Sequence, residues 1–323
     1  MFAFSRAPRR LIYIAAALLA LLTHISARAD TELRIGYQKS STLMTLLKLQ
    51  GTLEKDLGRQ GVKVSWYEFS SGLPLLESLN IGNVDVSADV ADTVPVFAQA
   101  AGANLTYFAR EEPSPDAQAI LVPQASPLKT LADLKGKRIA VTKAAGSHYL
   151  LIAALAKAHL TFKDITPAYL TPADGRAAFE TGKVDAWVTW EPFVASAQRQ
   201  QNARVLSEGQ GLASYQRYYL ASTAYAQSHP EILDLIYRQL ENTGTWIKAH
   251  PADAAKLLGP LWGNLDVATV EQANAHRTYL VKPVTPDSLG EQQHIADAFF
   301  DAGLLPKRID AQAVSIWTPG TRK

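Results

Sequence analysis

The sequence predicts an α/β protein of two similar lobes, each a mostly parallel sheet flanked by helices, with two strands forming the hinge between them. Three observations predict it. A βαβαβ order occupies Leu33 to Ala88 and recurs from Lys137 to Thr189. In each copy the second helix stops on the pattern Gly-x-Val-Asp, at Gly82 to Asp85 and at Gly182 to Asp185. Two apolar, strand-like segments between loop residues, Ala119 to Pro123 and Tyr215 to Ala221, link the copies out and back. Any α/β protein repeats such units; the shared stop signal favours two like lobes, and short right-handed crossovers give each a parallel sheet. The expected division is a leader at 1–29, a first lobe at 30–118, a second lobe at 119–216, and a helical return to the first lobe at 217–323.

The leader comes first. Arg6, Arg9 and Arg10 precede twelve unbroken apolar residues, Leu11 to Leu22, and Ala27-Arg28-Ala29 supplies an A-x-A cleavage site. This reads as a secretory signal peptide cut after Ala29; the alternative, an uncleaved anchor, has too short an apolar stretch for a comfortable membrane span. The leader carries four of the 32 basic residues and none of the 30 acidic ones, so the mature chain has a net charge of −2. That charge gives no footprint for nucleic acid. The 323 residues include no cysteine, which excludes a lipid-modified cysteine, a disulfide framework, a thiolate nucleophile and a sulfur-rich metal site. A mature chain of this size buries a large core without such staples.

Within the first copy, Leu33 to Tyr37 is a short strand and Gln38-Lys39-Ser40-Ser41-Thr42 a polar turn. Leu43, Leu46, Leu47 and Leu49 then follow a helical period. The alternating run Val62 to Phe69 is a strand, Leu73 to Asn80 a helix, and Val84-Asp85-Val86 opens the next strand. In the second copy, Arg138 to Val141 is a strand and Thr142 to Ser147 a turn, and the helix runs through Leu150, Leu151, Ala154 and Leu155. Thr171-Pro172-Ala173-Asp174 is a capping box after the strand Pro167 to Leu170. In the C-terminal third, Pro230 to His250 and Pro286 to Gly303 are helices punctuated by Pro251, Pro260, Pro283 and Pro286.

Ligands of open α/β sheets lie beyond the carboxyl ends of the strands. There the first lobe offers Ser40, Ser41 and Thr42, and the second offers Gly146 and Ser147. Free N–H groups at the two helix starts make both turns anion sites, able to hold an oxyanion without a dedicated arginine. The hydroxyls either cap their helices or touch the ligand as well. Asp89, Asp92 and Thr93 follow one strand end; Thr189, Trp190 and Glu191 follow the other. Asp92 and Glu191 are caps or pocket acids, and Trp190 is core or pocket wall. Catalytic constellations are missing. Ser147-His148 are adjacent, so their side chains diverge on a helix start. There is no G-x-S-x-G elbow and no glycine-rich nucleotide motif. The scattered histidines give no zinc spacing, so neither metal nor cofactor is expected.

Several runs resemble the aliphatic sulfonate-binding proteins of ABC importers: Gly36-Tyr37-Gln38-Lys39-Ser40, Thr130 to Lys137, Tyr169 to Asp174 and Val184 to Trp187. Pro306 to Asp310 and Ile316-Trp317 extend the likeness over essentially the whole mature chain. The Leu131 to Gly136 run is common to many solute-binding families; the Tyr-Gln-Lys and Tyr-Leu-Thr-Pro-Ala-Asp runs are more particular to the sulfonate branch. The resemblance implies a type II periplasmic-binding-protein fold. It also implies a monomer in the periplasm that hands an alkanesulfonate to an inner-membrane permease for sulfur acquisition. Its implied pocket positions are Gln38, Ser40, Ser147, His148, Trp190 and Glu191. Taurine, nitrate or a pyrimidine precursor is the alternative ligand within this class, and a periplasmic enzyme on the same fold is the alternative outside it. Two departures bear on the ligand. The turn Ala88 to Pro95 is one residue longer than the family's, and Ala144-Ala145-Gly146-Ser147 carries fewer hydroxyls.

Overall fold

The computed structural model describes residues 31–320, and the expected leader lies outside them. The first part of the chain runs β1 (Thr31–Gln38), α1 (Thr42–Gln50), α2 (Thr52–Gly58), β2 (Val62–Phe69), α3 (Gly72–Asn80), β3 (Val86–Ala91), α4 (Thr93–Ala100) and β4 (Leu105–Glu111). It crosses through 112–117 into β5 (Gln118–Pro123), β6 (Arg138–Val141), α5 (Gly146–Lys157), β7 (Thr166–Tyr169), α6 (Pro172–Glu180), β8 (Ala186–Trp190), α7 (Phe193–Gln200) and β9 (Ala203–Glu208). It returns through 209–216 into β10 (Arg217–Ser222), α8 (Thr223–Ser228), α9 (Pro230–Ala249), α10 (Pro251–Leu258), α11 (Val267–Ala275), β11 (Val281–Lys282), α12 (Gly290–Asp301) and β12 (Ser315–Ile316).

Two sheets result. One has the order β11-β4-β10-β3-β1-β2, with β12 added on β4; the other is β7-β6-β8-β5-β9. Each holds a parallel trio, β2-β1-β3 or β7-β6-β8, and continues into an antiparallel strand, β10 or β5. The trios are the two βαβαβ copies. β3 shows no polar alternation because all six of its residues are buried. Val86 and Ala88 pack into one apolar cluster and Val90 into another, as expected of a strand covered on both faces.

The repeated stop pattern has a structural basis. Gly82 and Gly182 end their helices at φ +78° and +66°, a left-handed conformation that glycine adopts without steric cost. The Asp three residues on braces the first strand of its own parallel trio. Asp85 Oδ2 accepts from Arg34 N at 2.8 Å, and Asp185 Oδ2 accepts from Arg138 N at 2.8 Å.

The crossings differ from the expected ones. Ala119 to Pro123 belongs to β5 and Tyr215 to Ala221 falls mostly in β10, so both are sheet strands; the chain passes between sheets just before each, at 112–117 and 209–216. Apolar composition suits a buried strand, whereas the crossings are short, polar and bonded to one another: Ser114 N donates to Ser214 O at 3.0 Å and Gly209 N to Pro115 O at 3.1 Å. The C-terminal helices touch both lobes. Phe299 of α12 packs edge-on against Phe97 of α4 at 4.8 Å and His148 of α5 at 5.1 Å. On α11, Gln272 Nε2 donates to Gln198 Oε1 of α7 at 3.0 Å.

Candidate functional site

A cavity of about 20 Å³ lies between the two sheets. The first lobe lines it with Gln38 at the end of β1, Gly72 opening α3, Ala91 ending β3 and Val94 in the first turn of α4. Ala145, Gly146 and Trp190 face it from the second lobe, and Tyr215 and Arg217 from the returning chain. These are carboxyl ends of parallel strands and starts of helices, where the topology places a ligand.

Two helix starts at the cavity lack a side-chain cap: that of α5, which opens on the lining residue Gly146, and that of α1, which follows the lining residue Gln38. The hydroxyl of Ser41, the N-cap residue of α1, makes no cap bond; it accepts from Gln38 N at 3.2 Å and lies 3.4 Å from Asp89 O as donor. α5 begins after Ala145, which has no capping group, and Ser147 Oγ is fully buried with no partner among the described residues. The expected serine caps are thus absent, and both first turns keep N–H groups and the positive dipole end for a ligand. The second turn is also tightly set. Ala144 sits at φ +61°, with its N–H on His148 Nδ1 at 3.2 Å and its carbonyl accepting from Thr93 Oγ1 at 2.6 Å. A Cβ at Gly146 would stand 2.5 Å from Tyr215 Cε2, so only backbone fits there.

An arginine that the sequence reading did not single out also lines the cavity. Arg217 is buried and ion-paired to Asp89 through Nε; its Nη2 donates to Asp89 O at 3.1 Å and its Nη1 to Tyr215 Oη at 2.7 Å. A guanidinium carries five N–H donors, so two remain beyond these contacts. Behind it, Arg277 Nη2 donates to Glu111 Oε2 at 2.5 Å and to Asp89 Oδ2 at 3.3 Å, and Tyr219 Oη donates to Glu111 Oε1 at 2.7 Å. Burial opposes the charge on Arg217, but Asp89, Tyr215 and Glu111 together more than offset it, and its pKa stands above the ordinary value. Two arginines and two carboxylates balance, so a net attraction for an anion comes from the two helix ends and the spare guanidinium donors.

A family model described as NMT1/THI5 like matches residues 58–254. A putative aliphatic sulfonates-binding protein of Escherichia coli (strain K12) is 40% identical over 96% of this chain and 97% of its own length. The chain belongs to the aliphatic sulfonate-binding proteins. Solved structures agree with that placement. The alkanesulfonate-binding protein SsuA from Xanthomonas axonopodis pv. citri, bound to MOPS, superposes with a TM-score of 0.84 at 40% identity, covering 90% of this chain and all of that one. The periplasmic aliphatic sulphonate-binding protein SsuA from Escherichia coli gives 0.81 at 39%, over 91% and 95%. The fold is therefore the two-lobed periplasmic-binding-protein fold, and these relatives are binding proteins rather than enzymes.

In this sulfonate-binding family member, the residues singled out from sequence divide by position. Gln38, Gly146 and Trp190 line the cavity. Ser40 accepts from Trp190 Nε1 at 3.4 Å across the cleft. Ser41 and Asp89 stand behind the wall, Asp89 holding Arg217 and Arg277. Thr93 bridges the lobes through Ala144 O. Asp92 accepts from Thr93 N and Gln216 N, each at 3.0 Å, and so caps α4 while tying down the returning crossing. Its burial, with the charge of Glu291 nearby, pushes its carboxyl up to about 7. Glu191 accepts from Ala195 N at 3.0 Å and from His276 Nδ1 at 2.6 Å. His148 is buried among Phe162, Tyr169 and Phe299 rather than on the cavity wall. Burial, with Lys143 nearby, drives its pKa down to about 3, so it is neutral. Arg217, Tyr215 and His276 escaped the sequence reading. For Arg217 there was a signal: a lone charge within the aromatic run Tyr215 to Leu220. Among the described residues no group of His, Asp and Glu is arranged to hold a metal ion, and no helix is long and apolar enough to cross a membrane.

Proposed function

We propose that this protein captures an alkanesulfonate between its lobes in the periplasm and delivers it, without turnover, to an ABC importer for sulfur acquisition. In this reading residues 30–118 and 217–323 form one lobe and 119–216 the other. The leader is removed after Ala29, and the mature protein works as a monomer. The observation that carries the reading is one cavity beside Trp190 lined by Arg217 and the uncapped start of α5, with the uncapped start of α1 directly after the lining residue Gln38. Such a cradle suits a compact, permanently charged oxyanion. Gln38, the first-turn N–H groups of both helices, Ser147 and Arg217 hold the head. Trp190, Tyr215 and Val94 offer apolar surface to the tail.

The test begins with protein recovered from the periplasm, whose intact mass should start at Asp30. Its melting temperature is then followed against a panel of ligands, because a ligand that binds the native state raises it by mass action. Alkanesulfonates should give the largest shifts, growing with chain length at up to about 0.8 kcal/mol per buried CH₂ until the space is filled. Sulfate has the head without the tail and should shift far less. A largest shift from taurine, nitrate, a pyrimidine precursor or a plain amino acid would overturn the alkanesulfonate assignment.

A further inference from the structure

Several polar contacts join the lobes around the cavity. Three are neutral: Trp190 to Ser40, Thr93 to the Ala144 carbonyl, and Gln272 to Gln198. The contact of His276 with Glu191 is ionisable, at 2.6 Å, one residue along the chain from the cavity-lining Trp190. Its two ends are anchored to different lobes. His276 lies between Asn274, which accepts from Tyr279 Oη at 2.7 Å, and Arg277, which is bound to Glu111 of β4. Lys248 of α9 also donates to the Asn274 carbonyl at 3.3 Å. Glu191 follows β8 directly and caps α7 through Ala195 N, so it moves with the second lobe.

We propose that His276 and Glu191 form a proton-operated latch across the cleft, so that lobe closure, and with it ligand capture, is favoured at low pH and weakened at high pH. The latch rests on the capture reading above, since it acts on the closing step. The charged groups facing His276 are acidic: Glu191 at the β8–α7 junction, Glu208 at the end of β9 and Asp116 in the outgoing crossing. Arg277 beside it turns inward to Glu111 and Asp89. Arg199 of α7 acts instead on Asp266, the N-cap at the far end of α11. The imidazole is 29% exposed while Glu191 is 3% exposed, so the proton exchanges with solvent and the carboxylate relies on its partner. The hydrogen bond that His276 donates to Glu191 raises the His276 pKa above its ordinary 6.5, against the opposing effect of burial. Opening separates the pair and returns His276 to its ordinary value. The latch is therefore fully made below about pH 6.5 and lost as pH rises through the raised value. A sulfonate stays ionised throughout this range, so a change in affinity reports the protein alone.

The experiment is calorimetric titration of the mature protein with a short alkanesulfonate at about pH 6 and about pH 9, bracketing the histidine range. Affinity should fall about threefold to fivefold on going to the higher pH, the strength of a partly exposed ion pair. Near neutral pH, binding should take up protons, read as a heat that differs between buffers of different ionisation enthalpy. His276→Gln should abolish both effects. Glu191→Gln, which keeps an oxygen for Ala195 N, should do the same. Sulfonate binding with flat affinity in the unmodified protein overturns the latch alone. So does a pH dependence that survives His276→Gln or disappears with Asp92→Asn. No sulfonate binding at any pH overturns the capture reading, and the latch with it.

Discussion

The two lobes meet the cavity with the same element, a strand end running into a helix start, and they finish it in opposite ways. In the first lobe the turn is interlocked: Ser41 joins Gln38 N and Asp89 O, Gln38 Nε2 reaches Asp89 O at 3.3 Å, and Asp89 holds two arginines. In the second lobe the turn Ala144-Ala145-Gly146-Ser147 meets side chains through Ala144, bonded to His148 Nδ1 and Thr93 Oγ1, while the Ser147 hydroxyl is buried without a partner among the described residues. An internally satisfied wall keeps its geometry whatever the ligand does. A buried hydroxyl with no partner costs free energy until something bonds to it. The first lobe thus supplies a prebuilt wall and the second supplies donors held in reserve.

The largest effect that would break this comparison is at the prebuilt wall. Arg217→Met leaves Asp89 short of one buried counter-charge, and loss of one partner of a buried pair costs about 3–5 kcal/mol. Urea unfolding should show that loss together with failure to bind. Arg217→Lys keeps the charge but not the fork of donors. It should stay folded and weaken sulfonate binding by about tenfold to a hundredfold in calorimetric titration. Unchanged affinity in Arg217→Lys would reduce the arginine to a structural brace.

Asp92 gives the next effect. Its folded pKa of about 7 lies above the ordinary 3.8, so the native state holds a proton that the unfolded chain releases. Its contribution to stability is complete below about pH 4 and is lost as pH rises through 7, by up to about 4 kcal/mol. Asp92→Asn should remove that slope from denaturation midpoints measured across pH 4.5 to 7.5 (a window set by those two values). A slope identical to the unmodified protein's would show that the carboxyl does not hold the proton. Glu191, its counterpart after the second strand end, is satisfied by His276 instead, at 2.6 Å.

The smallest stability effects sharpen the comparison most directly. Ser147→Ala removes a hydroxyl without a bond and should change stability by less than about 0.5 kcal/mol, while weakening ligand by about 1.5–3 kcal/mol. Ser41→Ala removes two internal bonds and should cost stability by about 1 kcal/mol, with a smaller loss of affinity. Paired melting and titration curves check both, and equal effects at the two serines would dissolve the distinction between a built wall and a reserve of donors.

Sequence alone determined the paired α/β units, the strand ends that face the cavity and the shared Gly-x-Val-Asp stop. Each is a local signal: a hydrophobic period, a left-handed glycine, an apolar run between turns. Even the bracing Asp85 and Asp185 were visible as an echo, although their partners Arg34 and Arg138 were not. The tertiary structure decided which polar groups meet. Arg217 and Asp89 lie 128 residues apart, and His276 and Glu191 lie 85 apart. It moved the crossings to the polar segments beside the expected strands, because apolar strands are worth more inside a sheet than between two. It also left Ser41 and Ser147 uncapping and turned His148 into an aromatic pocket, since a hydroxyl or imidazole bonds to whatever the packed chain brings near. Propensity reaches only a few residues along the chain, whereas a buried charge is neutralised by any element the fold places against it.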